Sequence, residues 1–121
     1  MFNFEKLDVW RKAIQFADQI YGITRNFPEE ERFGLTNQLR RAAVSISSNI
    51  AEESSRTSRP DFARFIEIAT GSLFEVVSQI RIALNESLLS QKQHDEIYAA
   101  AEEQSKMLSG LRRSLIGRDQ T

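Results

Sequence analysis

The sequence predicts an all-α fold, an antiparallel up-down-up-down four-helix bundle, on three observations. Apolar residues recur at helical spacing through four long stretches, and no stretch alternates with the two-residue period of a strand. Only two prolines and five glycines interrupt the 121 residues. The connections between the periodic stretches are short, and short connections favour antiparallel neighbours.

The first helix is expected from about Leu7 to Asn26, with Trp10, Ala13, Ile14, Ala17, Tyr21 and Thr24 on one face. Phe27-Pro28 ends it, because the residue before proline avoids the helical region. Glu29-Glu30-Glu31 forms a short turn, and Gly34 separates it from a second helix running from Phe33 or Leu35 to about Glu53. Leu35, Leu39, Ala42, Ile46 and Ile50 give that helix a continuous apolar seam. Ser54 to Ser58 is the next turn. Ser58 and Asp61 resemble a capping box, with Pro60 in the first turn where its missing N–H costs nothing. The third helix, from Arg59 to Leu88 or Leu89, carries Phe62, Phe65, Ile66, Ala69, Leu73, Val76, Val77, Ile80 and Leu84 on its apolar side. Ser90 and Gln93 form a second capping box. They open a fourth helix in which Ile97, Ala101, Gln104, Leu108, Leu111 and Leu115 follow heptad spacing and Gly117 is the expected stop.

A chain of this length is read as one domain, 1–121, with enough residues for a core. Cys is absent, which excludes disulfides, thiolate metal sites and cysteine catalysis. No apolar run approaches the ~20 residues needed to cross a bilayer, and no leader pattern is visible at Met1-Phe2-Asn3-Phe4-Glu5-Lys6. A cytoplasmic protein without membrane contact is therefore expected. The net charge of −1 conceals an uneven layout: residues 32–64 sum to +3 and 106–121 to +3, whereas 1–31 sum to −2 and 65–105 to −5. Twelve of the sixteen basic residues are Arg, the side chain suited to bidentate phosphate or carboxylate contact.

Catalytic constellations are missing from the sequence. His94, the only histidine, is flanked by Gln93, Asp95 and Glu96, and this acidic setting at a helix start does not suit a phosphorelay histidine, so an exposed residue without a role is expected. A carboxylate-bridged di-iron bundle needs Glu-x-x-His on two helices, and Gln91 stands three residues before the single His. There is no glycine-rich phosphate loop and no nucleophile elbow. The expectation is a non-enzyme with no catalytic residue, metal, cofactor or small-molecule substrate.

Two stretches instead concern how helices meet. Ser45 to Glu52 and Ala69 to Glu75 set small and polar residues beside the apolar seams. Small residues allow close helix approach, and buried polar ones need partners. Gln38, Arg41, Ser45, Asn49 and Glu52 form one polar stripe, and Ser72, Glu75 and Gln79 another. An interhelix network of Asn49, Glu52, Ser72 and Glu75, with Arg41 as counter-ion, is the expectation. The aromatic residues Phe2, Phe4, Trp10, Phe16, Phe27, Phe33 and Phe74 exceed what the seams require, which points to a contact between identical subunits.

Read in order, Phe4 to Trp10, Phe27 to Leu35, Gln38 to Ile46, Asn49-Ile50-Ala51-Glu52 and Ala69 to Glu75 resemble the four-helix-bundle proteins encoded in intervening sequences of bacterial 23S rRNA genes, over roughly residues 4 to 116. The resemblance implies an up-down bundle and a ring-shaped homo-oligomer, a homopentamer in that family, whose members have no established biochemical activity. It extends to the accessory variability proteins of diversity-generating retroelements, basic pentameric barrels that bind nucleic acid. The acidic pI of about 5.9 fits that second group poorly. One departure stands at Glu53, where the family usually carries Gly, so the second helix is expected to extend further. In a ring, Arg40, Arg41, Arg56, Arg59 and Arg64 would repeat around an axis as a rim for RNA or DNA phosphates, without base reading. The alternative is a protein-interaction scaffold in which the same arginines grip acidic partners. Phe62 and Phe65 are assigned to the core rather than to base stacking.

Overall fold

The computed structural model describes residues 1–56 and 58–119, with the side chains of Arg59 and of residues 117–119 outside the description. Among the described residues there are four α-helices and no strand: α1 (Asp8–Thr24), α2 (Leu35–Glu53), α3 (Arg59–Asn85) and α4 (Gln91–Asp119). Single 3₁₀ turns at Asn3–Lys6 and Glu29–Glu31 precede α1 and α2. Each helix packs on two others in the cycle α1, α2, α3, α4 and back to α1. One core runs through the bundle, with Phe16 and Ile20 from α1, Leu39, Ile46 and Ile50 from α2, Ile66, Leu73 and Ile80 from α3, and Ile97 and Leu108 from α4.

The helix ends follow local chemistry. The Ser58 hydroxyl accepts from the Asp61 amide at 3.4 Å, with Pro60 in the first turn of α3. The Ser90 capping box is complete: Gln93 N–H donates to Ser90 Oγ at 3.1 Å and Ser90 N–H donates to Gln93 Oε1 at 2.9 Å. Helix α3 stops at Asn85, three or four residues short of the expected Leu88 or Leu89, because the chain turns there. The Ser87 and Leu88 amides bond back to Leu84 (3.0 Å) and Ala83 (2.8 Å) with Ser87 at φ 60°, the Schellman arrangement with serine where glycine is usual. Helix α2 ends at Glu53 and does not extend, since the Ser54 and Ser55 hydroxyls fold back onto the Ala51 and Glu52 carbonyls at 2.7 and 2.8 Å. Gly117 does not stop α4, which continues through it to Asp119.

Three packing expectations are corrected. The buried face of α1 is Val9, Ala13, Phe16, Ala17, Ile20 and Thr24, turned by about 60° from the expected one at 100° per residue. Phe16 and Phe27 are therefore core residues, while Ile14 and Tyr21 lie outside. The physical reason is visible at both edges: the Trp10 ring is met edge-on by Phe4 at 5.2 Å, and the Tyr21 ring is covered by Arg40 at 4.6 Å. His94 is 5 % exposed, not a surface residue, and stacks on Tyr98. It extends the heptad of α4 by one step, three residues before Ile97. Phe62 packs against the core as expected, and Phe65 is half-buried beneath Arg56.

Candidate nucleic-acid interface

The arginines singled out by sequence fall at different levels of the bundle. Arg40 is half-buried between α1 and α2: its Nε donates to Thr24 Oγ1 at 2.8 Å and its guanidinium lies 4.6 Å over the Tyr21 ring. Thr24 can accept because its own hydroxyl donates to the Ile20 carbonyl at 2.7 Å. Arg41, one residue on, is exposed and without a partner among the described residues. Arg56, just after α2, pairs with Glu52 at 3.2 Å and covers Phe65 at 4.5 Å. Arg64 is exposed on α3 without a partner among the described residues, and the Arg59 side chain lies outside the description. Arg41 stands twelve residues before the end of α2, about 18 Å along the axis at 1.5 Å per residue, so one subunit holds two separate basic groups.

Arg40 has basic neighbours that the sequence did not single out. Arg25 and Arg32 line the same hollow beside it at the α1–α2 corner. They are separated from Arg40 by fifteen and eight positions, and only the fold of the turn brings them together. No spacing rule along one helix exposes such a cluster.

The polar stripes of α2 and α3 meet at Ser45. Ser72 Oγ donates to Ser45 Oγ at 2.9 Å, and Asn49 Nδ2 donates to the Ser45 carbonyl at 2.8 Å and to its Oγ at 3.0 Å. Seven residues away on each helix, Gln79 Nε2 approaches Gln38 Oε1 at 3.4 Å, and Gln79 Oε1 is buried without a partner among the described residues. Glu52 is not part of this contact, being turned toward Arg56. Glu75 and Arg41 line the hollow beside it but make no hydrogen bond or ion pair among the described residues. Serine hydroxyls alone suffice to bridge so close an approach, so the carboxylates stay in solvent.

Elsewhere the polar groups serve structure. Gln104, 1 % exposed, donates from Nε2 to the Val9 carbonyl at 3.1 Å and ties α4 to α1. Lys12–Glu103 at 3.4 Å and Arg112–Glu67 at 2.7 Å link helix pairs at the surface. The hydrogen bond to His94 Nδ1, joined by one from Gln91, holds the Asp95 carboxyl below the usual carboxylate range. An ionised carboxylate only accepts, so Nδ1 carries the proton. Among the described residues no group of His, Asp and Glu is placed to hold a metal ion, and no helix is long and apolar enough to cross a membrane.

Comparison with known proteins relates the chain to one family and to solved structures. The family model for 23S rRNA-intervening sequence protein matches residues 5–110. A solved structure, a protein of unknown function from the S23 ribosomal protein family of Bacteroides thetaiotaomicron, superposes with a TM-score of 0.80 at 24% identity, covering 87% of this chain and 95% of that one. At that identity the superposition speaks for the fold. No curated protein matches.

Proposed function

The chain belongs to the 23S rRNA-intervening sequence protein family, and from that premise we propose a non-enzymatic, self-assembling bundle that associates with RNA or DNA through backbone phosphates. The observation that carries the reading is the outward side of α3 and α4. Phe74, Ile82 and Tyr98 stand exposed there, a surface suited to a further subunit. The up-down-up-down topology is supported by paired positions: Ser45 meets Ser72 and Gln38 meets Gln79, so seven steps back along α2 are seven steps forward along α3. A ring is supported by charge. Residues 32–64 carry +3 and 65–105 carry −5, so the complementary surfaces are different ones, and a head-to-tail contact closes into a ring when its rotation allows. A homopentamer is the family form adopted in this proposal. The absence of Cys suits a reducing cytoplasm.

Arg41 and Arg64, both exposed and uncommitted, would repeat around such a ring and contact phosphate without reading bases. The family's description ties its members to 23S rRNA intervening sequences, which is in keeping with a nucleic-acid setting. A second reading, a protein-interaction scaffold, is favoured by Arg40 and Arg56, whose guanidiniums are already engaged within the chain. Two measurements test the proposal. Light scattering should give a multiple of 13.9 kDa. A salt-titrated mobility shift with structured RNA, single-stranded DNA and duplex DNA should show binding that weakens steeply with salt. A compact monomer would remove the ring, and no binding at low salt in the micromolar range would leave the scaffold.

A further inference from the structure

We propose that the α1–α2 corner is an oxyanion site that takes a phosphate group, held by the guanidiniums of Arg25, Arg32 and Arg40 and the hydroxyl of Thr36. The proposal rests on the nucleic-acid reading for the source of the phosphate, and on the corner alone for the site.

The corner is an open hollow of about 300 Å³. Three arginines, two threonines and a single carboxylate, Glu29, line it. That carboxylate is shared with Arg32 at 3.4 Å, a long contact between exposed groups. The lining side chains thus carry three positive charges against one negative, while Glu30 and Glu31 of the same turn lie outside the lining. Guanidiniums present planar pairs of donors that match phosphate oxygens.

Thr36 supplies an independent observation. The residue is 9% exposed and lines the hollow, yet its hydroxyl has no hydrogen-bond partner among the described residues. A hydroxyl held in such a place donates well to a bound oxyanion. Thr24 is different in kind, because its hydroxyl is saturated: it donates to Ile20 and accepts from Arg40 Nε. That bond fixes the Arg40 side chain while leaving its terminal nitrogens available. The Arg25 guanidinium has no partner among the described residues. One guanidinium fixed, one loosely held and one free, facing an unpartnered hydroxyl, is an arrangement prepared for an anion rather than one satisfied within the chain. Thr36 also sits in the first turn of α2, where the Glu31 carboxylate already accepts from the Leu35 N–H at 3.2 Å, so the site rests on the side chains rather than on the helix end.

The test compares Arg25→Gln and Thr36→Val with Arg81→Gln, an exposed arginine outside the corner, using the full chain, and Arg41→Gln is compared for RNA binding alone. Inorganic phosphate should raise the thermal midpoint of the native protein above that in chloride of equal ionic strength. Arg25→Gln and Thr36→Val should each weaken the apparent phosphate affinity about tenfold, the scale expected for one lost charge-assisted hydrogen bond. Arg81→Gln should leave it unchanged. Arg25 is exposed, so its variant keeps the test meaningful even if Thr36→Val folds poorly. If a short single-stranded RNA competes with phosphate, the source is a nucleic-acid backbone. If RNA does not compete, the site serves free phosphate-bearing molecules, and the nucleic-acid reading loses this support while the site stands. A native protein that shows no phosphate-specific shift, or variants that bind as the native protein does, would overturn the site. RNA binding that persists in Arg25→Gln and Thr36→Val but falls in Arg41→Gln would keep the proposed function and remove this corner from it.

Discussion

Phe16 on α1 and Phe74 on α3 have opposite fates. Each stands beside an apolar stripe, and by sequence each looks like a surplus aromatic ring. Phe16 is 2% exposed in the core and Phe74 is 60% exposed on the outer side of its helix. The difference lies in the neighbours. Helix α1 has Trp10 and Tyr21 drawn to its edges by Phe4 and Arg40, which leaves Phe16 to fill the centre. Helix α3 already fills its inner side with Ile66, Ala69, Leu73, Val76 and Ile80, so a ring at position 74 has nowhere to go but outward. An aromatic surplus therefore reports an outward apolar surface only after the inner faces have taken their share.

The strongest way to break this comparison is to truncate both rings. Phe16→Ala should lower the unfolding free energy by about 3–5 kcal/mol, the usual range for a fully buried ring. Phe74→Ala should leave the stability of the monomer within about 0.5 kcal/mol. Its effect belongs to assembly, where light scattering should show a lower mass at equal concentration. Denaturant titration at two protein concentrations separates the effects, since only an assembly defect depends on concentration. Equal losses for both variants at high dilution would mean that Phe74 is not an outward surface residue.

Neighbouring arginines sharpen the same point at a smaller scale. Arg40 is turned inward and Arg41 outward, one residue apart on one helix. Arg40→Gln removes a charge-assisted bond to Thr24 and the cover on Tyr21, and should cost about 1.5–3 kcal/mol. Arg41→Gln should change stability by less than about 0.5 kcal/mol while weakening RNA binding and flattening its salt dependence. Within α3, Ser72→Ala removes the bridge to Ser45 and should cost about 1 kcal/mol in thermal or denaturant unfolding, whereas Glu75→Gln, three residues on, should cost nothing measurable.

The helices and both Ser-initiated caps were legible because periodicity and capping are local. Phase and termination were less so. Along α1 the sets Val9-Ala13-Phe16-Ile20 and Trp10-Ala13-Ala17-Tyr21 are both helical stripes, and only packing against α2 and α4 selects the first. Helix α3 ends through Ser87 in a conformation that glycine normally signals, so the sequence carried no mark of it. Gly117 carried the mark and the helix passed through it. His94 was readable in principle, since it lies on the α4 heptad, but its polar flanks drew the reading outward. Of the residues proposed for the α2–α3 contact, Asn49 and Ser72 meet through Ser45, while the charged pair Glu52 and Glu75 does not join them. Carboxylates on a stripe boundary keep their hydration when a neutral hydroxyl fills the gap. The corner of Arg25, Arg32 and Arg40 depends on how the chain returns through Pro28 and the 3₁₀ turn, which no helical period encodes.

The finest distinction between α1 and α3 rests on two glycines. Gly22 on α1 and Gly71 on α3 each have open space where a Cβ would stand, with nothing within 4 Å in the single chain. Alanine at either position should therefore stabilise the subunit, by about 0.5–1 kcal/mol, because glycine in a helix interior loses more backbone freedom on folding. The two should part company in the assembly. Gly71 lies one turn before Phe74, on the exposed side of α3, where small residues let a second helix approach closely. Gly71→Ala should raise the monomer's unfolding midpoint and at the same time lower the assembled mass, whereas Gly22→Ala should raise the midpoint alone. If both alanines stabilise and neither alters the mass, then the proposed subunit contact does not come within contact distance of Gly71.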